Sequence, residues 1–288
     1  MKRINVIYIF YLLLFIILII LIISAIMKDY IDEKTDKYNL EKDGFVVIKD
    51  AVTLDEIKIL KNYCNNNNYR TAKSFLINNN NLKNIIHKET KNINYIFQDY
   101  IWIIKKSSVH TCHRDNNGDF FNKGQKYPSY TMLIYLEDMD KCLGVIKSSH
   151  KNINSNNINF SNNVINIPCK KGDIILFNAN LIHVGALNKR DDNLRIQMKV
   201  THKDDIKHIY YYQNFNKVLN KDNKLPFIIK KIQKNTSCMF PIISNLTQNE
   251  NIRSSRGTDN GVEIGFFQKI FSYIFYGNSQ FYDLPNAF

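Results

Sequence analysis

The stretch "KKGDIILFNANLIHVGALNKRDDNLRIQMKV", residues 170–200, is the most legible part of this 288-residue chain. It reads as a tight turn, an apolar strand, a lone histidine, a polar loop and a second strand. Gly172 supplies the turn of Lys-Gly-Asp. The run after it is rich in β-branched and aromatic residues, as a buried strand is. Residues 194–202 alternate apolar and polar, as a half-buried strand does.

Working outward, the same signals recur. Residues 163–178 hold two strands around the Gly172 turn. Residues 142–150, "CLGVIKSSH", read as a short strand and a turn. Residues 129–138 and 100–109 read as strands, and 44–52 as a short buried strand. Residues 53–64, "TLDEIKILKNYC", open a helix: Thr53 and Glu56 have the spacing of a capping box, and Leu54, Ile57 and Leu60 form one apolar stripe. Residues 65–95 are polar and Asn-rich with no firm signal. Short strands with few intervening helices predict a mainly β fold with flanking helices, a double-sheet jelly roll. From residue 204 onward the chain looks helical or mixed, and 265–275, "GFFQKIFSYIF", is an aromatic-rich amphipathic stretch suited to packing on the domain or to a membrane surface.

Residues 110–115, "HTCHRD", hold four side chains able to bind a metal. On a strand, residues two apart share a face. His113 and Asp115 therefore present an imidazole and a carboxylate together, while Arg114 points away and His110 and Cys112 fall out of phase. A zinc site built from His110, Cys112, His113 and Asp115 would need four adjacent ligands to converge on one tetrahedral ion, against that alternation. A local His-x-Asp is by itself a weak signal, and a solvated loop has the same pattern. His183, at the end of a later strand, completes a set of two histidines and one carboxylate, which leaves open positions on a non-haem iron. Arg195, twelve residues on, is a forked cation suited to a carboxylate.

Residues 44–201 resemble the phytanoyl-CoA dioxygenase family of Fe(II)/2-oxoglutarate-dependent oxygenases. Four blocks carry the likeness in order: "GFVVIKDAVTLDEIKILK", "CHRD", "YLEDMDKCLGVIKSSHK" and the 170–200 stretch. The resemblance implies a double-stranded β-helix (jelly-roll or cupin-like) core. It implies His113, Asp115 and His183 as Fe(II) ligands and Arg195 as the partner of the distal carboxylate of 2-oxoglutarate. It also implies that O2 and 2-oxoglutarate are converted to succinate and CO2 while a substrate C–H bond is hydroxylated. Gly185 stands where the family often has a Ser or Thr beside the arginine, so another hydroxyl must take that contact; Thr131 and Tyr135, on one face of their strand, are the candidates. Gly-Ser-His has become Ser148-Ser149-His150, with His150 expected to be structural. A prolyl-4-hydroxylase-like protein hydroxylase is the nearest alternative, but it uses a lysine as anchor, and Lys189 and Lys199 are poorly spaced for that. A non-catalytic jelly-roll binding or structural protein is the alternative outside enzymes.

Composition bounds the rest. Hydrophobic content of 44% and aromatic content of 12% exclude a disordered chain, and 10 Gly with 5 Pro exclude a collagen-like one. The net charge of +13 comes from scattered lysines, which argues against a nucleic-acid interface. Five cysteines without a CxxC pair are read as neither a disulfide framework nor a zinc-finger pattern.

Residues 6–27 carry no charge. At about 1.5 Å per residue they reach roughly 33 Å, enough for a bilayer core of about 30 Å. They are read as a transmembrane signal anchor over residues 1–27. Lys2 and Arg3 precede the span and Lys28 follows it, a slight bias toward a cytosolic N-terminus and a lumenal or exterior main domain. Sequons at Asn159, Asn235 and Asn245 fit that side. The expected organisation is an anchor (1–27), a stem (28–43), the oxygenase domain (44–203) and a C-terminal extension (204–288). Substrate and oligomeric state are not legible.

Overall fold

The computed structural model describes residues 6–27, 31–32, 38–106, 112–115, 124–151, 164–185, 192–208, 213–220 and 225–240, with residues 266, 270 and 273. The α-helices with described bounds are α1 (Val6–Met27), α2 (Leu40–Asp43), α3 (Leu54–Asn65), α4 (Tyr69–Asn78), α5 (Asn80–Thr90) and α6 (Phe227–Met239). The eleven strands are β1 (Ile31–Asp32), β2 (Phe45–Ile48), β3 (Tyr95–Phe97), β4 (Tyr100–Lys106), β5 (Tyr130–Tyr135), β6 (Met139–Val145), β7 (Ile165–Cys169), β8 (Ile174–Asn178), β9 (His183–Gly185), β10 (Asp192–His202) and β11 (Phe215–Asn220).

The strands form two sheets. The larger runs β11-β4-β10-β5-β8-β2, with β3 also on β10; the smaller runs β1-β7-β6-β9. Side-chain alternation assigns the faces. Ile196, Met198 and Val200 of β10, Met132 and Ile134 of β5, and Ile174 and Leu176 of β8 share one core with Leu60 of α3, Leu76 of α4 and Ile86 of α5. The intervening residues Leu133, Ile175 and Phe177 share a second core with Leu143, Val145, Ile165 and Ile167 of the smaller sheet. The larger sheet is thus buried on both faces, by helices outside and by the second sheet inside. That is why β5 and β8 read as apolar runs rather than as alternating strands. The mainly β, jelly-roll-like core with flanking helices agrees with the sequence reading.

Local chemistry explains the element ends. Thr53 caps α3, with Thr53 Oγ1 accepting from the Glu56 amide and Glu56 Oε2 accepting from the Thr53 amide at 2.8 Å, the capping box read from the sequence. Gly172 turns at φ +92°, and a Cβ there would lie 2.6 Å from the Val52 carbonyl oxygen, so a side chain would force the β7–β8 turn off the start of α3.

Five readings change. Residues 65–95 hold α4 and α5. Asparagine is a weak helix former, but Ala72 with Leu76 and Leu82 with Ile86 repeat at one turn and are buried against the sheet. The segment read as a stem contributes α2 and β1, which pairs in parallel with β7. The β region does not close at residue 202, because β11 pairs in parallel with β4. Cys112 and Cys238 form a disulfide across 126 residues, a pairing that spacing cannot reveal. Asn235, one of the sequons, is completely buried in α6 and is no glycan acceptor in the folded domain; Asn159 and Asn245 lie outside the described residues.

α1 is long and apolar enough to cross a membrane, with a mean hydropathy of 3.5 over Val6–Ser24. Of the amphipathic stretch 265–275, only Phe266, Ile270 and Tyr273 are described; they are helical and exposed.

Candidate metal centre

His183 begins β9 and His113 pairs with it in an isolated antiparallel bridge. Each backbone amide donates to the other residue's carbonyl, at 2.9 Å and 3.0 Å. This bridge brings together two histidines 70 positions apart in the chain. Their rings lie 4.4 Å apart, and Phe177 lies 4.6 Å from His183 on the inner face of β8. Asp115 turns back so that its Oδ1 is 3.6 Å from the Nε2 of His113 and 3.6 Å from the Nε2 of His183. One ligand atom from each of the three residues lies within 4.8 Å of the others. The pair that strand parity selects thus comes together with His183, although residues 112–115 form a bridge and a bend rather than a regular strand.

The electrostatics suit a cation. The His183 Nδ1 lies 3.0 Å from the Leu181 carbonyl. A carbonyl only accepts, so Nδ1 carries the proton and the Nε2 lone pair faces the site. Burial, then the neighbouring His113, lowers the His183 pKa from 6.5 to about 3, which keeps the ring a neutral donor. Burial alone would raise the Asp115 carboxyl; Lys199 first, then His183 and His113, outweigh it and hold Asp115 ionised well below the usual range. Two imidazoles and one carboxylate are a donor set that fits a divalent iron with open positions.

The supports are local. Arg114, between the two ligands, does point away from them. Its guanidinium donates to the carbonyls of Ser149, at 3.0 Å, and of Asn180. Ser149 Oγ in turn accepts from the Ile182 amide at 2.8 Å. The Ser148-Ser149-His150 turn thus pins both ligand segments. His150 meets the Glu41 carbonyl through Nε2 at 3.0 Å, the structural role expected of it. Cys112 lies in the disulfide, so the four-ligand zinc arrangement is ruled out; His110 and Lys189 lie outside the described residues.

Arg195 is buried on the inner face of β10, opposite Tyr135 of β5 and Ile104 of β4. It donates to Asn193 Oδ1. The Tyr135 hydroxyl is fully buried and has no hydrogen-bond partner among the described residues. Its burial pushes the phenol pKa well up, and the Arg195 charge pulls against that. Thr131 is not at this end. It lies two rows along β5, opposite Lys199, and donates to Asp115 Oδ2 at 2.5 Å. Lys199, poorly spaced for a co-substrate anchor, sits in the site as a partner of Asp115, a place its sequence spacing does not suggest. Its parity with Arg195 on β10 is the signal that could have found it.

Residues 79–196 match the family model described as phytanoyl-CoA dioxygenase. The domain is phytanoyl-CoA dioxygenase-like. Solved structures similar to this phytanoyl-CoA dioxygenase-like domain include AviO1 from Streptomyces viridochromogenes Tue57, with 13% identity, 61% of this chain and 97% of that one covered, and a TM-score of 0.42. EvdO2 from Micromonospora carbonacea var. aurantiaca, complexed with 2-oxoglutarate, has 10% identity, covers 60% and 91%, and has a TM-score of 0.45. SnoN, a non-heme alpha ketoglutarate dependent epimerase from nogalamycin biosynthesis, has 14% identity, covers 57% and 79%, and has a TM-score of 0.45. No curated protein sequence matches the chain.

Proposed function

We propose that this chain is a membrane-anchored Fe(II)/2-oxoglutarate-dependent dioxygenase that hydroxylates a C–H bond. The convergence of His113 Nε2, Asp115 Oδ1 and His183 Nε2 on one point carries the reading, and the family match supports it. Fe(II) bound there with 2-oxoglutarate would supply the activation of O2. His113, Asp115 and His183 hold the metal. Arg195 takes the distal carboxylate of 2-oxoglutarate, and the unpartnered Tyr135 hydroxyl beside it is the hydroxyl missing at Gly185. The apolar inner face, with Phe177 against His183, excludes water from the metal side. Arg195, at the end of β10 away from the ligands, favours this family over a prolyl-4-hydroxylase-like enzyme, which uses a lysine as anchor.

α1 serves as the anchor. The Cys112–Cys238 disulfide supports a lumenal or exterior domain, because such bonds persist in oxidising compartments. The test uses the full chain in detergent micelles with Fe(II), 2-oxoglutarate and O2. Succinate forms without added substrate, and His113→Ala abolishes it. Failure to bind 2-oxoglutarate together with absence of succinate would leave a non-catalytic jelly-roll protein.

A further inference from the structure

The two oxygens of Asp115 have different surroundings. Oδ1 faces both imidazoles at 3.6 Å. Oδ2 faces the sheet, where it accepts from Lys199 Nζ at 2.6 Å and from Thr131 Oγ1 at 2.5 Å. Lys199 Nζ also donates to Thr131 Oγ1 at 2.6 Å, which closes a triangle around Oδ2. Lys199 and Thr131 are register partners on adjacent strands, so the backbone ladder sets their separation.

All three groups are buried, Lys199 to 2% exposure and Thr131 to 0%. A buried ammonium is costly unless it is paired and hydrogen-bonded. An ammonium only donates, so it must face an acceptor. Lys199 is therefore held on Oδ2 by the same burial that makes the carboxylate need it.

A carboxylate binds a metal through one oxygen or through both. Two imidazoles and one carboxylate oxygen leave three open positions on an octahedral ion; a second carboxylate oxygen would take one of them. We propose that Lys199, with Thr131, is a positioning residue that occupies Oδ2 and so keeps Asp115 a one-oxygen ligand. The position thereby spared stays open for co-substrate and O2. This rests on the metal assignment above, and it explains a lysine that the anchor role of Arg195 leaves without a task.

The test loads the full-length protein in detergent with Mn(II) and counts metal-bound waters by EPR in 17O-enriched water. Wild type holds three waters, and Lys199→Met, which keeps an unbranched chain without the charge, holds two. The dissociation constant for 2-oxoglutarate rises roughly tenfold in that variant, in the range of lost outer-shell partners. Three waters and unchanged 2-oxoglutarate affinity in Lys199→Met overturn the proposal and leave the metal assignment standing. Two waters in wild type overturn it without any variant. Where Lys199→Met does not fold, the pair Thr131→Val and Thr131→Ser replaces it: valine loses a water or weakens 2-oxoglutarate binding, serine does neither, and equal behaviour of the two overturns the proposal. A wild type that binds neither Mn(II) nor 2-oxoglutarate overturns the metal reading itself.

Discussion

Cys112, the residue before His113, is joined by a disulfide to Cys238 near the end of α6. The Cys112 amide also donates to Ser237 Oγ at 2.8 Å. Helix α6 is thus tied to the segment that carries His113 and Asp115, although the two lie far apart in sequence. A cross-link over a loop of this length stabilises by roughly 5 kcal/mol in the chain-entropy picture. Reductant, or Cys238→Ser, should lower the Tm of the full chain and lower its affinity for divalent metal. An unchanged Tm in dithiothreitol would show that α6 holds its place without the bond.

Arg195 should separate binding from chemistry. A charge-assisted pair with a carboxylate is worth about 1.5–3 kcal/mol. Arg195→Ala should therefore raise the KM for 2-oxoglutarate by roughly 10–100-fold with a smaller change in kcat. A kcat loss at constant KM would place the arginine elsewhere in the cycle.

Tyr135→Phe distinguishes a structural hydroxyl from a ligand-binding one. The hydroxyl is buried without a partner among the described residues. Its removal should leave the metal-free Tm equal or higher, since an unsatisfied buried polar group costs about 1–3 kcal/mol. Affinity for 2-oxoglutarate should fall by about 1 kcal/mol, the worth of one hydrogen bond. A fall in Tm with unchanged co-substrate binding would assign the hydroxyl to the fold.

His183 makes the metal-free protein acid-sensitive. Its folded pKa is lowered from 6.5 to about 3 by burial and then by His113. Between those values the unfolded chain holds the proton and the folded chain does not. Stability should fall as pH drops below about 6.5, by up to about 1.4 kcal/mol per pH unit. Asp115, whose folded pKa is depressed, adds loss in the same direction only as pH falls through and below the ordinary carboxyl range. Urea midpoints between pH 7.5 and 5 should show the His183 slope, and His183→Asn should flatten it. A midpoint that rises on acidification would contradict a buried neutral His183.

Much of the site was legible before any coordinates. Strand parity and chain order single out His113, Asp115, His183 and Arg195; the first three come together in the fold, and Arg195 lies opposite Tyr135 toward the other end of β10. The turn at Gly172 and the capping box at Thr53 were equally plain, because each needs only contacts within a few residues. Helices α4 and α5 were hidden by asparagine, whose weak propensity masks a short apolar stripe until the sheet beneath it is known.

The candidate ligand types, their order and the strand periodicity are readable from the chain alone, since these depend on covalent spacing and on the two-residue repeat of a β-strand. The fold adds which oxygen of Asp115 faces the two imidazoles, that Lys199 and Thr131 hold the other, that β11 extends the sheet beside β4, and that Cys112 meets Cys238. Each of these is a contact between segments far apart in the chain. Such contacts are set by which faces are buried together, and no local pattern of residues encodes that.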